Sequence, residues 1–193
     1  MPSDPVLLAF DTSAAHCAAA LLCGPAVLAA TAEEMGRGQA ERLIPLLEEL
    51  LAETGHSWAD LDAIGVGIGP GNFTGIRISV SAARGLALGL DIPAIGVSTF
   101  DAIHAEHPDL IPAVPGPRGK AYVARPDPAL IDLDALEQLP HAMPPAPADL
   151  ARAIGQVALG RFGTEQPAPA PLYVKPADAA PARDAPPVIL DDA

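Results

Sequence analysis

Asp11, Thr12 and Ser13 follow the apolar run VLLAF, so a carboxylate and two hydroxyls sit where a strand must turn. A carboxylate beside hydroxyls and turn N–H groups suits a hydrated magnesium ion or a phosphate contact. The same residues equally suit a turn closed by Asx-type hydrogen bonds. Gly65 to Gly75 then holds five glycines in eleven positions and leads directly into a helical pattern. It contains neither G-x-x-x-x-G-K-[ST] nor G-x-G-x-x-G, which excludes the P-loop and the dinucleotide fingerprint. The glycines of GPGNFTG instead relax a sharp strand-to-helix turn, with Asn72 or Thr74 available as the cap. Gly71, Asn72 and the free N–H groups of that helix start leave an anion contact open.

His104, Glu106 and His107 form an H-x-E-H run at a polar helix end before Pro108, which reads as a solvated terminus rather than a metal site. No Ser/His/Asp set and no paired-His metal motif stands out, so peptidase chemistry is set aside. Cys17 and Cys23 lie six apart without a CxxC pairing and read as buried free thiols. No metal site is expected in this chain.

Positioning these residues requires a layered α/β fold. VLLAFDTS, HCAAALLCG and AVLAATAEE read as a three-strand meander. AERLIPLLEELLAETG places Leu43, Ile44, Leu47, Leu50 and Leu51 at helical spacing, with Pro45 near the start or at a kink. Ser57 caps a helical turn, and a strand follows in which Ile64, Val66 and Ile68 alternate with Ala63, Gly65 and Gly67. Glycine along one strand face means that something packs there at close range. The helix TGIRISVSAARGLALGLD, the strand PAIGVS and a short helix around TFDAIHAEH complete this half. Strands first, then alternating strands and helices, predict a mixed sheet.

Of the 23 prolines, 17 fall at or beyond Pro108. The later elements that stand out are DLIPAV, KAYVAR and the helix ADLARAIGQVALGRFG. The expected organisation is a lobe over 1–107, a reduced lobe over 108–176 and an extended or disordered tail over 177–193. With 193 residues, 50% apolar and 4% aromatic, the core must be built from Ala, Leu, Val and Ile at close spacing. A net charge of −13 is the wrong sign for a chain that holds a nucleic-acid backbone alone. No apolar run approaches the roughly 18 residues of a membrane span, and the first ten residues lack a basic leader, so a cytoplasmic protein is expected.

On the helix after the glycine turn, Ile76, Val80, Ala83 and Ala87 form one apolar stripe and Ile78, Ala82, Leu86 and Leu90 a second. Two apolar faces need two partners. One is the chain's own sheet; the other is either covered by ERLIPLLEELL or open to another molecule. Small residues at Ser79, Ser81, Gly85 and Gly89 let a second helix approach closely.

Taken together, LLAFDTS, ERLIPLLEELLAETG, AIGVGIGPGNFTGIRISVSAARGLALGLDIPAIGVSTFDAI and PLYVKPADA closely resemble the bacterial TsaB (YeaZ) family. That family supplies the partner subunit in threonylcarbamoyl-adenosine modification of tRNA. The resemblance is strong from Val6 to about Ile103 and thin over Pro108 to Arg161. It implies an actin-like, ribonuclease-H-type fold and a non-catalytic role: helix-to-helix pairing with a TsaD-like paralogue, which the subunit activates. A TsaE-like ATPase is the implied third member. The chain alone is then expected to be a homodimer, tRNA to be met only through the complex, and ATP and metal to lie on the partner subunits.

On this reading the pairing surface comprises Leu43, Leu46, Leu47 and Leu50 of the first helix, with Ile76, Arg77, Val80, Ala83, Arg84 and Ala87 of the second. Asp11, Thr12, Ser13, Gly71 and Asn72 would supply any phosphate contact. Two departures from the family pattern stand out: Gln39 where the family commonly has His, and PGPRGKAY, which keeps Arg118, Gly119 and Tyr122 but lacks the family's acid. The rival expectation, from the same fold, is an active ATP-dependent phosphotransferase or hydrolase resting on Asp11 and the glycine turn. Without a second carboxylate, Asp11 would have to position metal, nucleotide and nucleophile alone.

Overall fold

Strands β1 (Val6–Asp11), β2 (His16–Cys23) and β3 (Ala26–Glu34) form the expected antiparallel meander. The chain then forms helix α1 (Gln39–Glu53), a 3₁₀ turn at Trp58–Asp60, strand β4 (Ala63–Gly67), helix α2 (Phe73–Leu90), strand β5 (Ala94–Val97) and helix α3 (Thr99–Glu106). β4 pairs parallel to β1 and β5 parallel to β4, giving a mixed five-stranded sheet in the order β3-β2-β1-β4-β5. This is the actin-like, ribonuclease-H-type arrangement. These elements are seen in a computed structural model that describes residues 4–124 and 126–174. The expected tail over 177–193 lies outside the described residues.

Period-two alternation in β1 sends Leu8 and Phe10 to one face and Leu7 and Ala9 to the other. The Leu8 face is covered by α1 and α2 through Leu43, Leu46, Leu47, Leu50, Leu51, Ala83 and Ala87. Pro45 lies inside α1, where it removes one helical N–H. The 3₁₀ turn is capped at Ser57 as predicted, in a capping box closed by Asp60. Asn72, not Thr74, caps α2: its side chain accepts from Gly75 N at 2.9 Å, which stabilises the helix by about 1 kcal/mol.

The opposite face corrects the expected division of the chain. Helix α5 (Pro147–Arg161), placed by sequence in a separate reduced lobe, packs on the five-stranded sheet through Leu150, Ala151, Ala153, Ile154 and Ala158. Its approach is close because both sides are small. A Cβ on Gly65 of β4 would lie 3.0 Å from Ala158 Cβ, and one on Gly155 would run into Leu22 and Ala9. Burying side chains such as Leu150 and Ile154 contributes about 1.5–3 kcal/mol each, so α5 is integral to the first unit. The boundary at 107/108 is thus crossed by this helix.

Between α3 and α5 lies a second sheet: β6 (Ile111–Pro115), β7 (Lys120–Ala124), β8 (Pro128–Asp132) and β9 (His141–Ala142) in the order β8-β7-β6-β9, with helix α4 (Leu133–Leu136) after β8. Only β6 and β7 were expected. β8 opens on Pro128 at the sheet's edge, where a missing N–H costs no ladder bond. Both cysteines are free thiols; Cys17 is buried, whereas Cys23 is only half-buried.

Candidate functional site

The parallel strands β1, β4 and β5 end side by side, and their C-terminal edge is where α/β sheets hold ligands. Asp11 ends β1 fully buried. Its Oδ2 accepts from Ser13 N at 2.9 Å, Ser13 Oγ at 2.9 Å and His16 Nε2 at 2.8 Å. Its Oδ1 has no partner among the described residues and lies where a Cβ on Gly67 would be. Thr12 Oγ1 donates to the Gly75 carbonyl at 2.7 Å, and Asn72 N donates to the Ser13 carbonyl at 2.6 Å.

The glycine turn is therefore built for packing. Cβ atoms on Gly71 and Gly75 would run into the carbonyls of Ser13 and Thr12, so the β1–β2 bend and the start of α2 meet backbone to backbone. Gln39 completes the bend, its Nε2 donating to the carbonyls of Ala14 at 2.6 Å and His16 at 3.1 Å. This amide holds the turn from the first residue of α1.

At the start of α5 these elements line a half-open pocket of about 420 Å³. Ser13, Gly71 and Asn72 reach it, while Asp11 and Thr12 do not line it. Among the described residues no Asp, Glu, Lys or Arg belongs to its wall. A magnesium–nucleotide needs a free carboxylate and cations against its phosphates. Here the one carboxylate has an oxygen committed to Ser13 and His16 and sits behind the wall, so the residues do not fit that group.

A Ser/His/Asp set does come together, contrary to the sequence reading, which lacked any signal linking His16 to Asp11. It is not a nucleophilic triad. Ser13 Oγ donates to Asp11 rather than to the imidazole, so no base takes its proton. Sequence reasoning also missed Thr99, buried in the same wall. At the end of α3, His104 and His107 are exposed, and Glu106 is paired with Arg152 at 2.7 Å.

The expected pairing residues divide sharply. Leu43, Leu46, Leu47 and Leu50 are 0–2% exposed and Ile76, Val80, Ala83 and Ala87 are 0–8% exposed, the leucines, Ala83 and Ala87 within the cluster that covers the sheet. These eight are core, a correction to the assignment from stripes. Ile78, Ala82, Leu86 and Leu90 lean on the same cluster and are half-buried. The open face of α2 carries Arg77, Ser81, Arg84, Gly85, Leu88 and Gly89, with Leu88 85% exposed and nothing within 4 Å of where Gly85 or Gly89 would carry a Cβ. Arg77 lies 3.8 Å over the Phe73 ring and donates to Tyr173 Oη at 2.8 Å. Arg42 of α1 is held by Glu33 and Glu49, so it is not free for a partner.

The model of the family described as "TsaD: tRNA N6-adenosine threonylcarbamoyltransferase" matches residues 31–160. The tRNA threonylcarbamoyladenosine biosynthesis protein TsaB of Escherichia coli is 41% identical over 94 residues, covering 49% of this chain and 40% of that protein. TsaB of Bacillus subtilis is 35% identical over 120 residues, covering 60% and 52%. The chain belongs to the TsaB (YeaZ) family. A relative from Mycobacterium tuberculosis is 34% identical over 75% of this chain and 79% of its own length. The match to the E. coli TsaB spans less than half of that protein. YeaZ from Pseudomonas aeruginosa superposes with a TM-score of 0.69 at 25% identity, covering 88% of this chain and 99% of that one. A second P. aeruginosa structure, described as similar to peptidase YEAZ, shares the TsaB fold with a TM-score of 0.71 at 24% identity, covering 89% and 100%. The TsaB names place the family in tRNA threonylcarbamoyladenosine biosynthesis.

Proposed function

We propose that this chain is the catalytically silent partner of a TsaD-like enzyme in threonylcarbamoyl modification of the tRNA adenosine next to the anticodon. It pairs through the open face of α2 and activates the enzyme. A TsaE-like ATPase joins the same cytoplasmic complex, ATP and metal act on the other subunits, and tRNA is met only through the assembly. In isolation two copies pair through the same face.

The observation that carries this reading is the surface of α2. A helix that exposes Leu88 between Gly85 and Gly89 leaves room for a second helix at short interaxial distance. Arg77 and Arg84 flank the face and would fix orientation and on-rate more than affinity. The net charge of −13 supports an indirect route to tRNA. The rival phosphotransferase or hydrolase lacks support from the pocket, whose wall carries no Asp, Glu, Lys or Arg among the described residues.

The test is reconstitution. With its TsaD-like counterpart and tRNA, the wild-type chain should raise threonylcarbamoyl incorporation, and Leu88→Glu should abolish both pairing and stimulation. Stimulation that persists in Leu88→Glu at full strength would exclude this face.

A further inference from the structure

We infer that Arg84 selects the partner at the open face of α2: it repels its own copy in a second chain and receives a carboxylate from the TsaD-like counterpart. The selection rests on the pairing role proposed above.

A charge imbalance points to it. The chain carries 24 acidic residues against 11 lysines and arginines, yet α2 contains two arginines and no acid. The arginines of the other helices are neutralised: Arg42 by Glu33 and Glu49, Arg152 by Glu106 and Asp149, Arg161 by Asp101. Arg77 and Arg84 form no ion pair among the described residues. Arg77 is nonetheless tied down, stacked over Phe73 and bonded to Tyr173 Oη. Arg84 is exposed beside Gly85 and Leu88. Asp62 and Asp91 border the same groove without pairing with it.

Symmetry turns this free cation into selectivity. A parallel self-pair sets Arg84 directly against its copy. In an antiparallel one, with its two-fold axis anywhere from Ser81 to Leu88, the two Arg84 positions stay within about 12 Å along the helix at a rise of about 1.5 Å per residue. That is close to the screening length of about 10 Å at ~0.1 M salt, so every such register feels the repulsion. The helix offers no acid in return, Asp91 standing only at its C-cap. A counterpart helix with Asp or Glu at the facing position converts the repulsion into an ion pair. Attracting one partner while repelling another is how a shared face acquires specificity. A phosphate backbone fits less well, because the chain around Arg84 carries a net charge of −13.

The experiment measures two affinities for each variant of the full chain: self-association by sedimentation, and association with the TsaD-like counterpart, both at low and at high salt. Arg84→Met removes the charge and keeps the stem at an exposed position where methionine is a good helix former, so Tm should hold. It should tighten the self-pair and weaken the counterpart complex, each roughly fivefold at low salt, with both changes shrinking at high salt. Arg84→Lys should stay near wild type in both. A lost packing contact would instead weaken both pairings together.

The inference is overturned if Arg84→Met leaves either affinity unchanged, if it moves both in the same direction, or if the isolated chain binds tRNA through Arg84. Should Leu88→Glu abolish the counterpart complex while Arg84→Met leaves it intact, the pairing face stands and selection by Arg84 falls. A wild-type chain that never binds the counterpart overturns both.

Discussion

Gly67 of β4 lies directly under the carboxylate of Asp11: a Cβ there would overlap Oδ1, while Oδ2 is pinned by Ser13 and His16. Gly67→Ala should therefore destabilise the chain by about 1–3 kcal/mol through overpacking against a group that cannot swing away. In an Asp11→Ala background the same change should cost at least about 1 kcal/mol less, since the obstacle is gone. Urea unfolding of the four proteins measures this coupling, and additive losses would refute the contact.

Asp11 acts as a structural anchor. Asp11→Ala strands Ser13 N, Ser13 Oγ and His16 Nε2, and should lower stability by about 2–5 kcal/mol. The isolated wild-type chain should show no ATP turnover above buffer. Turnover that Asp11→Ala removes without a fall in Tm would restore the rival reading.

Burial pushes the Cys17 thiol up to about 11, with Glu33 adding to the shift. It remains protonated far above neutrality, and the thiolate is the reactive form. Iodoacetamide at pH 8 should modify half-buried Cys23 and spare Cys17, giving a single adduct by mass spectrometry. A Cys17 adduct formed under native conditions would show that β2 is accessible.

Arg42 joins β3 to α1 by donating to Glu33 and Glu49, and these hydrogen bonds hold both carboxyls below their ordinary 4.5. A carboxylate whose value is depressed by folding stabilises the fold above its unfolded value and loses that contribution as pH falls through the folded one. Arg42→Met should lower Tm modestly at pH 7, and the gap should close as pH falls below ~4. High salt should narrow it at neutral pH, because both glutamates are substantially exposed. A gap independent of pH would assign the loss to packing of the Arg42 stem.

The N-terminal elements were legible because their signals are local. Period-two alternation fixed β1 and β4, the 3.6-residue stripes fixed α1 and α2, and glycine along β4 foretold close packing, which α5 and Asp11 supply. What failed was long-range. Two apolar stripes on α2 look alike in sequence, and only the tertiary packing decides that Val80 and Ala83 are buried. The Asp11–His16 contact depends on how the β1–β2 bend folds back, and a lone His opening a strand gives no sign of it. β8 escaped because Pro128 reads as a breaker until its edge position is known.

The core assignment predicts that Val80→Glu and Ala83→Glu unfold the chain, since each buries an unpaired charge at a cost of several kcal/mol. Neither variant can report on pairing. A flat circular-dichroism signal at 25 °C is expected for both, and a native melt would contradict their burial.

The open face of α2 is tested most directly by the mass in solution of this chain mixed with its TsaD-like counterpart, comparing wild type with Gly85→Arg. Arginine at an exposed helix position is favoured over glycine by up to about 1 kcal/mol, so the variant should melt no lower than wild type. Light scattering should give a one-to-one complex for wild type and two separate species for Gly85→Arg. A folded Gly85→Arg that still forms the complex at wild-type affinity would contradict the account.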